Sequence, residues 1–114
     1  VSIDDLLFRQ YDRQTYNCCH FSAEAWQRFT GDKRLHDIDE STLQAGDLRL
    51  LFTHYQRVDG PTVAPSIVLM QNLQGEFHMG ICVRRRLLHI REEGAVFLPF
   101  DASLHTYRNF RFYQ

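Results

Sequence analysis

Five short apolar segments crowd the second half of the chain: Ile67–Met70, Phe77–Val83, Leu87–Ile90, Ala95–Leu98 and Phe110–Tyr113. Ile67-Val68-Leu69-Met70 is a continuous apolar run, the signature of a strand buried on both faces. A turn marked by Gly75 precedes Phe77, the basic tip Arg84-Arg85-Arg86 precedes Leu87, and Gly94 precedes Ala95. Short strands with short polar connections pair with their neighbours in sequence, which predicts an antiparallel meander. The aromatic end, Phe110-Arg111-Phe112-Tyr113, reads as an inner strand of that sheet.

The first half follows a different period. Phe21, Ala25 and Phe29 recur at i, i+4, i+8, so a helix is expected from about Cys18 to Phe29 or Thr30. Asn17 suits its N-cap and Gly31 its stop. Ile3, Leu6, Leu7 and Gln10 trace a shorter helix, with Ser2 and Asp4-Asp5 at its start. Leu35–Ala45 is mixed and acidic, with a short helix around Ser41. Gly46-Asp47 leads into Leu48–Phe52, which fits a strand or the end of a helix. Asp59-Gly60-Pro61 and Pro65 punctuate a loop. Helices first and strands after predict an α+β fold, the helices packed on one face of the sheet. The 114 residues, without repeats or low-complexity stretches, suit one domain over residues 1–114.

A formal net charge of −1 makes no case for nucleic acid as the main partner. No run of about 18 apolar residues occurs, so no transmembrane segment or membrane insertion is expected. Val1–Leu7 carries two Asp where a signal peptide would be basic, so cytoplasmic synthesis is expected. Three cysteines, two of them adjacent, do not form a secreted disulfide framework and suit a reducing compartment.

Cys18 is the residue with chemistry to offer. At the first turn of a helix capped by Asn17, its thiol would meet unpaired N–H groups and the positive end of the helix dipole, which stabilise a thiolate. His78 and His89 fall on consecutive predicted strands, where opposed residues have Cβ atoms about 5 Å apart, so their rings are expected to hydrogen-bond. An imidazole oriented by a second side chain is the usual partner of a thiol nucleophile.

These residues resemble the NlpC superfamily of papain-like cysteine peptidases, mostly cell-wall hydrolases. The nucleophile motif is matched by Asn17-Cys18-Cys19-His20-Phe21. The base-bearing strand of the family, similar to His-Val-Gly-Ile-Tyr, is matched by His78-Met79-Gly80-Ile81-Cys82. The third, polar position of the family lies about 12 residues further on, and His89 lies eleven positions after His78. The family also has a strand that begins about a dozen residues before the base. Gly46-Asp47-Leu48 carries the letters of that strand, whereas Pro65–Met70 carries the spacing; the spacing is preferred, because strand topology sets it. Without a Gly-Asp strand start, and closing on a Phe-Arg-Phe-Tyr strand, the chain is most similar to small phage and prophage tail-associated members.

The resemblance implies a papain-like fold and acyl transfer by a thiol. Cys18 would attack an amide carbonyl, His78 would hold the proton and return it to the leaving amine, and His89 would fix the tilt and tautomer of His78. N–H groups at the helix start would stabilise the oxyanion. Asn17 and Tyr11 are the candidates for contact with substrate or oxyanion, with Tyr16 competing for the role of Tyr11. No cofactor is expected. The implied partner is a peptide of peptidoglycan, and for a tail-associated member other phage tail proteins, with delivery to the cell envelope or a virion. Cys19 and His20 depart from the residues common in the family. Cys19 is expected to be structural, and Cys82, on the face of His78, to be core packing.

Four rival readings remain. Cys18 could be a small buried hydrophobe. Cys18, Cys19, His20, His78 and His89 could hold zinc, though no Cys-x-x-Cys or His-x-x-x-His spacing occurs. The same fold could also serve as a silent structural module of a phage tail, or as a thiol acyltransferase. An open cleft at Cys18 separates the enzyme from the silent module, and a polar rather than apolar groove separates a peptidase from a lipid-directed relative.

Overall fold

All five apolar segments of the second half are strands in a computed structural model that describes residues 1–114. They are β2 (Ser66–Asn72), β3 (Phe77–Val83), β4 (Arg86–Arg91), β5 (Gly94–Pro99) and β6 (Tyr107–Tyr113); β1 (Arg57–Val58) is a short addition. The sheet is antiparallel, in the order β1-β6-β2-β3-β4-β5. The meander therefore covers β2 to β5 only. β6 returns to the other side of β2 and is an inner strand, with β1 outside it. It belongs inside because Phe112 and Tyr113 are both buried, one on each face.

Both faces of the sheet are covered. Ile67 and Leu69 of β2 point to the larger core, with Phe21, Ala25 and Trp26. Val68 and Met70 point to a smaller core on the far face, with Cys82, Leu87, Phe100 and Phe112. This two-sided burial is why Ile67–Met70 is apolar throughout instead of alternating. Cys82 packs in the far core as expected.

The helix expected from Cys18 is α1 (Cys18–Thr30). Asn17 caps it: its Oδ1 accepts from the Cys19 N–H at 3.0 Å, and its own N–H donates to His20 Nδ1 at 3.1 Å. This reciprocal cap contributes about 1 kcal/mol. It also accounts for a histidine at position 20. Gly31, at φ 77°, ends the helix in the left-handed region that glycine tolerates best. α1 lies across β3 and β4. Two shorter helices follow, α2 (Glu40–Gln44) and α3 (Arg49–His54). The Gly46-Asp47 segment thus opens a helix, and the strand preceding β3 is the one chosen by spacing.

The first expected helix is only a single 3-10 turn, Leu6–Phe8. Leu6 is buried, but Phe8 is exposed and the chain is extended at Arg9. The segment is held to α1 by charge: Arg9 pairs with Glu24 at 2.7 Å, and Arg28 pairs with Asp5. No helix is long and apolar enough to cross a membrane.

Arg84, Arg85 and Arg86 at the β3–β4 turn are exposed, but the backbone of the turn is docked. Arg84 and Arg85 both have positive φ, 54° and 58°. Their N–H groups donate to Val63 O at 2.7 Å and Thr62 O at 2.9 Å, which docks the turn on the preceding loop. Two consecutive positive φ values define the tight turn that Asn-Gly fits best. Replacing Arg84-Arg85 by Asn-Gly is expected to stabilise the fold by about 1 kcal/mol, since side chains there carry left-handed strain. Urea unfolding of the double variant checks this, and an unchanged or lower midpoint would contradict it.

Candidate active site

The thiol and the two imidazoles come from opposite faces of the sheet. Cys18 is the first residue of α1 and belongs to the helix-side core. His78 shares its face of β3 with Gly80 and Cys82, and His89 shares its face of β4 with Leu87, so both lie on the far side. They meet because the sheet opens there. The β3–β4 ladder runs only from Val83↔Arg86 to Ile81↔Leu88. Beyond Gly80 the strands part, while β3 stays paired with β2 and β4 with β5.

Across this opening His78 Nε2 and His89 Nδ1 are 2.8 Å apart, a hydrogen bond between ring nitrogens. The register makes the pair diagonal neighbours, not directly opposed as the spacing alone suggested. The residue facing His89 is Gly80. A Cβ there would lie 3.0 Å from His89 Cβ, from Leu87 Cδ1 and from the Leu88 carbonyl. The bare backbone at Gly80 lets β4 come close enough for the rings to touch.

Cys18 is 7% exposed and lines a cleft of about 320 Å³ together with His78, Tyr11 and Asn17. With Nε2 of His78 engaged by His89, Nδ1 is the nitrogen left for the thiol. The Cys18 thiol is held well below its usual range. The largest cause is a hydrogen bond from the Cys19 thiol; His78 and the Met79 N–H add to it against the opposing effect of burial. Cys19 is pushed the other way, chiefly by that same bond and by its burial. Negative charge is therefore favoured on Cys18 over Cys19. The structural role expected for Cys19 thus misses a contact with the sulfur beside it.

His89 is 5% exposed, and burial, then the positive charges of His78 and Arg91, push it down to about 3. It is neutral across the physiological range and serves His78 as an acceptor at Nδ1. Tyr107 of β6 completes the arrangement. Its ring stacks on His78 with centroids 4.9 Å apart and planes 7° from parallel, and meets His89 edge-on at 5.6 Å. Sequence reasoning missed Tyr107, because β6 reaches the site only by crossing back beside β2.

Tyr11 and Tyr16 separate clearly. The Tyr16 hydroxyl is spent on Glu24. Tyr11 lines the cleft, and its hydroxyl makes no hydrogen bond within the protein. Burial, then the charges of Glu40 and Cys18, raise its pKa, so it remains an O–H donor. Asn17 lines the cleft too, but its amide is fully used. Nδ2 donates to the Arg13 carbonyl at 2.9 Å and to Glu40 at 3.1 Å. Asn17 has no donor left for an oxyanion; its work is to build the helix start. The Cys18 backbone N–H, by contrast, has no partner within the protein.

The other four histidines, His20, His36, His54 and His105, are exposed. No three His, Cys, Asp or Glu side chains converge closely enough to hold a metal ion. No family model, curated protein or solved structure matches the chain.

Two predictions follow from this geometry. Gly80→Ala should displace β4 from β3, at about 1–3 kcal/mol of overpacking, and slow alkylation of Cys18 while the far-UV dichroism is retained. Alkylation at the wild-type rate would show that the approach of His89 is dispensable. The second concerns pH. A histidine whose pKa falls from 6.5 to about 3 on folding binds its proton better unfolded, so its contribution to stability is complete above pH 6.5 and is lost as pH falls from there towards 3. Between pH 6.5 and 4.5 the wild type should lose up to about 1.4 kcal/mol per pH unit from this group. Urea unfolding across that window should show a shallower slope in His89→Gln; parallel slopes would contradict a neutral His89.

Proposed function

We propose that this chain is a cysteine peptidase or amidase that acts through Cys18, His78 and His89. The observation that carries the reading is the opening of Cys18 into a cleft beside an imidazole whose far nitrogen is bonded to a second imidazole at 2.8 Å. Cys18 attacks the amide carbonyl as a thiolate, and the carbon becomes tetrahedral. His78 gives its proton to the departing amine, then takes one from the water that hydrolyses the thioester. His89 keeps the His78 ring in plane and in the correct tautomer. The free N–H of Cys18 and the hydroxyl of Tyr11 are the two donors available to the oxyanion.

The resemblance of Asn17-Cys18 and His78-Met79-Gly80-Ile81 to the NlpC superfamily supplies the fold reading and the substrate class, the peptides of peptidoglycan. The groove fits a peptide. Its walls carry Arg13, Glu40, Glu76, Arg91, Glu92 and Glu93. Past Asn17 and Glu40 it continues into a second polar hollow of about 800 Å³ with no hydrophobic lining residue. A charged groove of this kind supports a peptide-directed enzyme over a lipid-directed acyltransferase. The cleft at Cys18 favours an enzyme over a silent tail module, in which the groove would be plugged. A site on a phage tail, with other tail proteins as neighbours, remains the setting that the resemblance suggests.

The test is a set of variants assayed on muropeptides. Cys18→Ala should abolish hydrolysis and leave the fold intact. His78→Ala should lower kcat by about 10²–10⁴-fold, and His89→Ala by less, since it acts through His78. In the wild type, iodoacetamide at pH 6 should label Cys18 ahead of Cys19 and Cys82. A fully active Cys18→Ala would sink the proposal.

A further inference from the structure

Behind the imidazole pair lies a second cavity, of about 60 Å³, which shares only Arg91 and Tyr107 with the Cys18 cleft. His89 forms part of its wall. Nδ1 of His89 is engaged by His78, and Nε2 has no partner in the protein. The tautomer follows from that bond. When Nδ1 of His78 faces the thiol, Nε2 of His78 carries the proton shared with His89. His89 accepts it at Nδ1 and therefore carries its own proton on Nε2.

Arg91 stands two residues further along β4, on the same face, and lines the same cavity. Its Nε is buried and makes no hydrogen bond. The nearest carboxylate, that of Glu93, is 3.9 Å away, too long for one. The Ser103 hydroxyl on the opposite wall is donated to the Phe100 carbonyl. No carboxylate lines the cavity, and Leu87, Val96 and Leu98 supply apolar walls. The buried Arg91 Nε and the unpartnered Nε2 of His89 thus border a small space with no acidic side chain in its lining. Donors left unmade in such a place are costly.

We propose that this cavity binds one small monovalent anion of the chloride or formate class, held by His89 Nε2–H and the Arg91 guanidinium, which completes a relay of anion, His89 and His78 behind Cys18. A water takes about 30 Å³ of liquid, so the space admits such an ion and excludes one as large as gluconate. The anion polarises His89, makes its Nδ1 a better acceptor, and so favours the protonated form of His78 beside the Cys18 thiolate. It supplies the negative charge that a carboxylate gives where one orients a catalytic imidazole. No bond is made or broken at the anion. The inference rests on Cys18 as the nucleophile.

The experiment follows alkylation of Cys18 by acrylamide, a neutral reagent that releases no ion, with mass-spectrometric readout at pH 6. Sodium gluconate is replaced by sodium chloride or formate at constant ionic strength. The rate should rise saturably by about fivefold or more. Arg91→Gln should flatten that response by removing the charge. Ala102→Leu, at an exposed wall position, should flatten it by filling the space. Chloride-35 line broadening in the wild type, lost in both variants, reports occupancy without chemistry. A fast Cys18 at the same rate in gluconate and chloride, without broadening, would overturn the anion site and leave the nucleophile standing. Broadening with no change in rate would overturn the relay. A Cys18 that is slow in every salt would overturn the nucleophile itself.

Discussion

The hydrogen bond between His78 and His89 spans the place where β3 and β4 part, and the chemistry of the cleft depends on it. Two paired strands fix their side chains by the ladder between them. Beyond Ile81 and Leu88 there is no ladder to β4, so the first residues of β3 are positioned by β2 and by Gln44, which accepts from the Phe77 N–H at 3.0 Å and donates to its carbonyl at 2.7 Å. The imidazole bond at 2.8 Å, with Tyr107 stacked on one ring and edge-on to the other, replaces the missing backbone constraint by a side-chain one. The same parting frees the Met79 N–H to face the Cys18 thiol. An opening that weakens the sheet is what gives the thiol its surroundings.

Burial opposes a thiolate at Cys18, and several donors overcome it together. Cys19 offers an S–H from the same helical turn, His78 a ring N–H, and Met79 a backbone N–H. His89 contributes by staying neutral. A second imidazolium next to His78 would repel the proton that the thiol must give up. Burial, then the neighbouring His78 and Arg91, hold His89 uncharged. Glu40, which could compete as an anion near the thiol, is engaged by Asn17 at 3.1 Å and by Arg13 at 3.7 Å.

Much of this was legible in the sequence, for identifiable reasons. β3 was bounded to the residue because Gly75 and the arginine tip frame a mainly apolar stretch. The start of α1 was legible because Asn17 and the i, i+4, i+8 apolar spacing agree. Cys18, His78 and His89 could be singled out because each sits at a position defined by a local pattern. Tyr107 could not, because its place at the site depends on the return of β6 to β2, a contact between residues 35 positions apart (Asn72↔Tyr107). The Cys19 contact was missed because helical periodicity counts faces, whereas at a helix start the first two side chains share the space that no earlier turn fills. Asn17 was credited with a second job because a cap and a free amide look the same in sequence; only the Glu40 and Arg13 contacts show the amide to be used up.

The distribution of used and unused donors bears on what the fold is for. Side chains around the cleft that could be satisfied internally are: Asn17 by four partners, Tyr16 by Glu24, Glu40 by two neighbours. The Cys18 N–H and the Tyr11 hydroxyl at the cleft, and His89 Nε2 and Arg91 Nε behind it, make no internal bond; in the sealed core, Ser22 Oγ and Tyr113 OH also lack a partner. Each buried donor left unmade lowers stability without adding a contact. Unmade donors that line an open cleft differ from those sealed in the core, because water or a ligand can reach them. That difference is independent of any family resemblance.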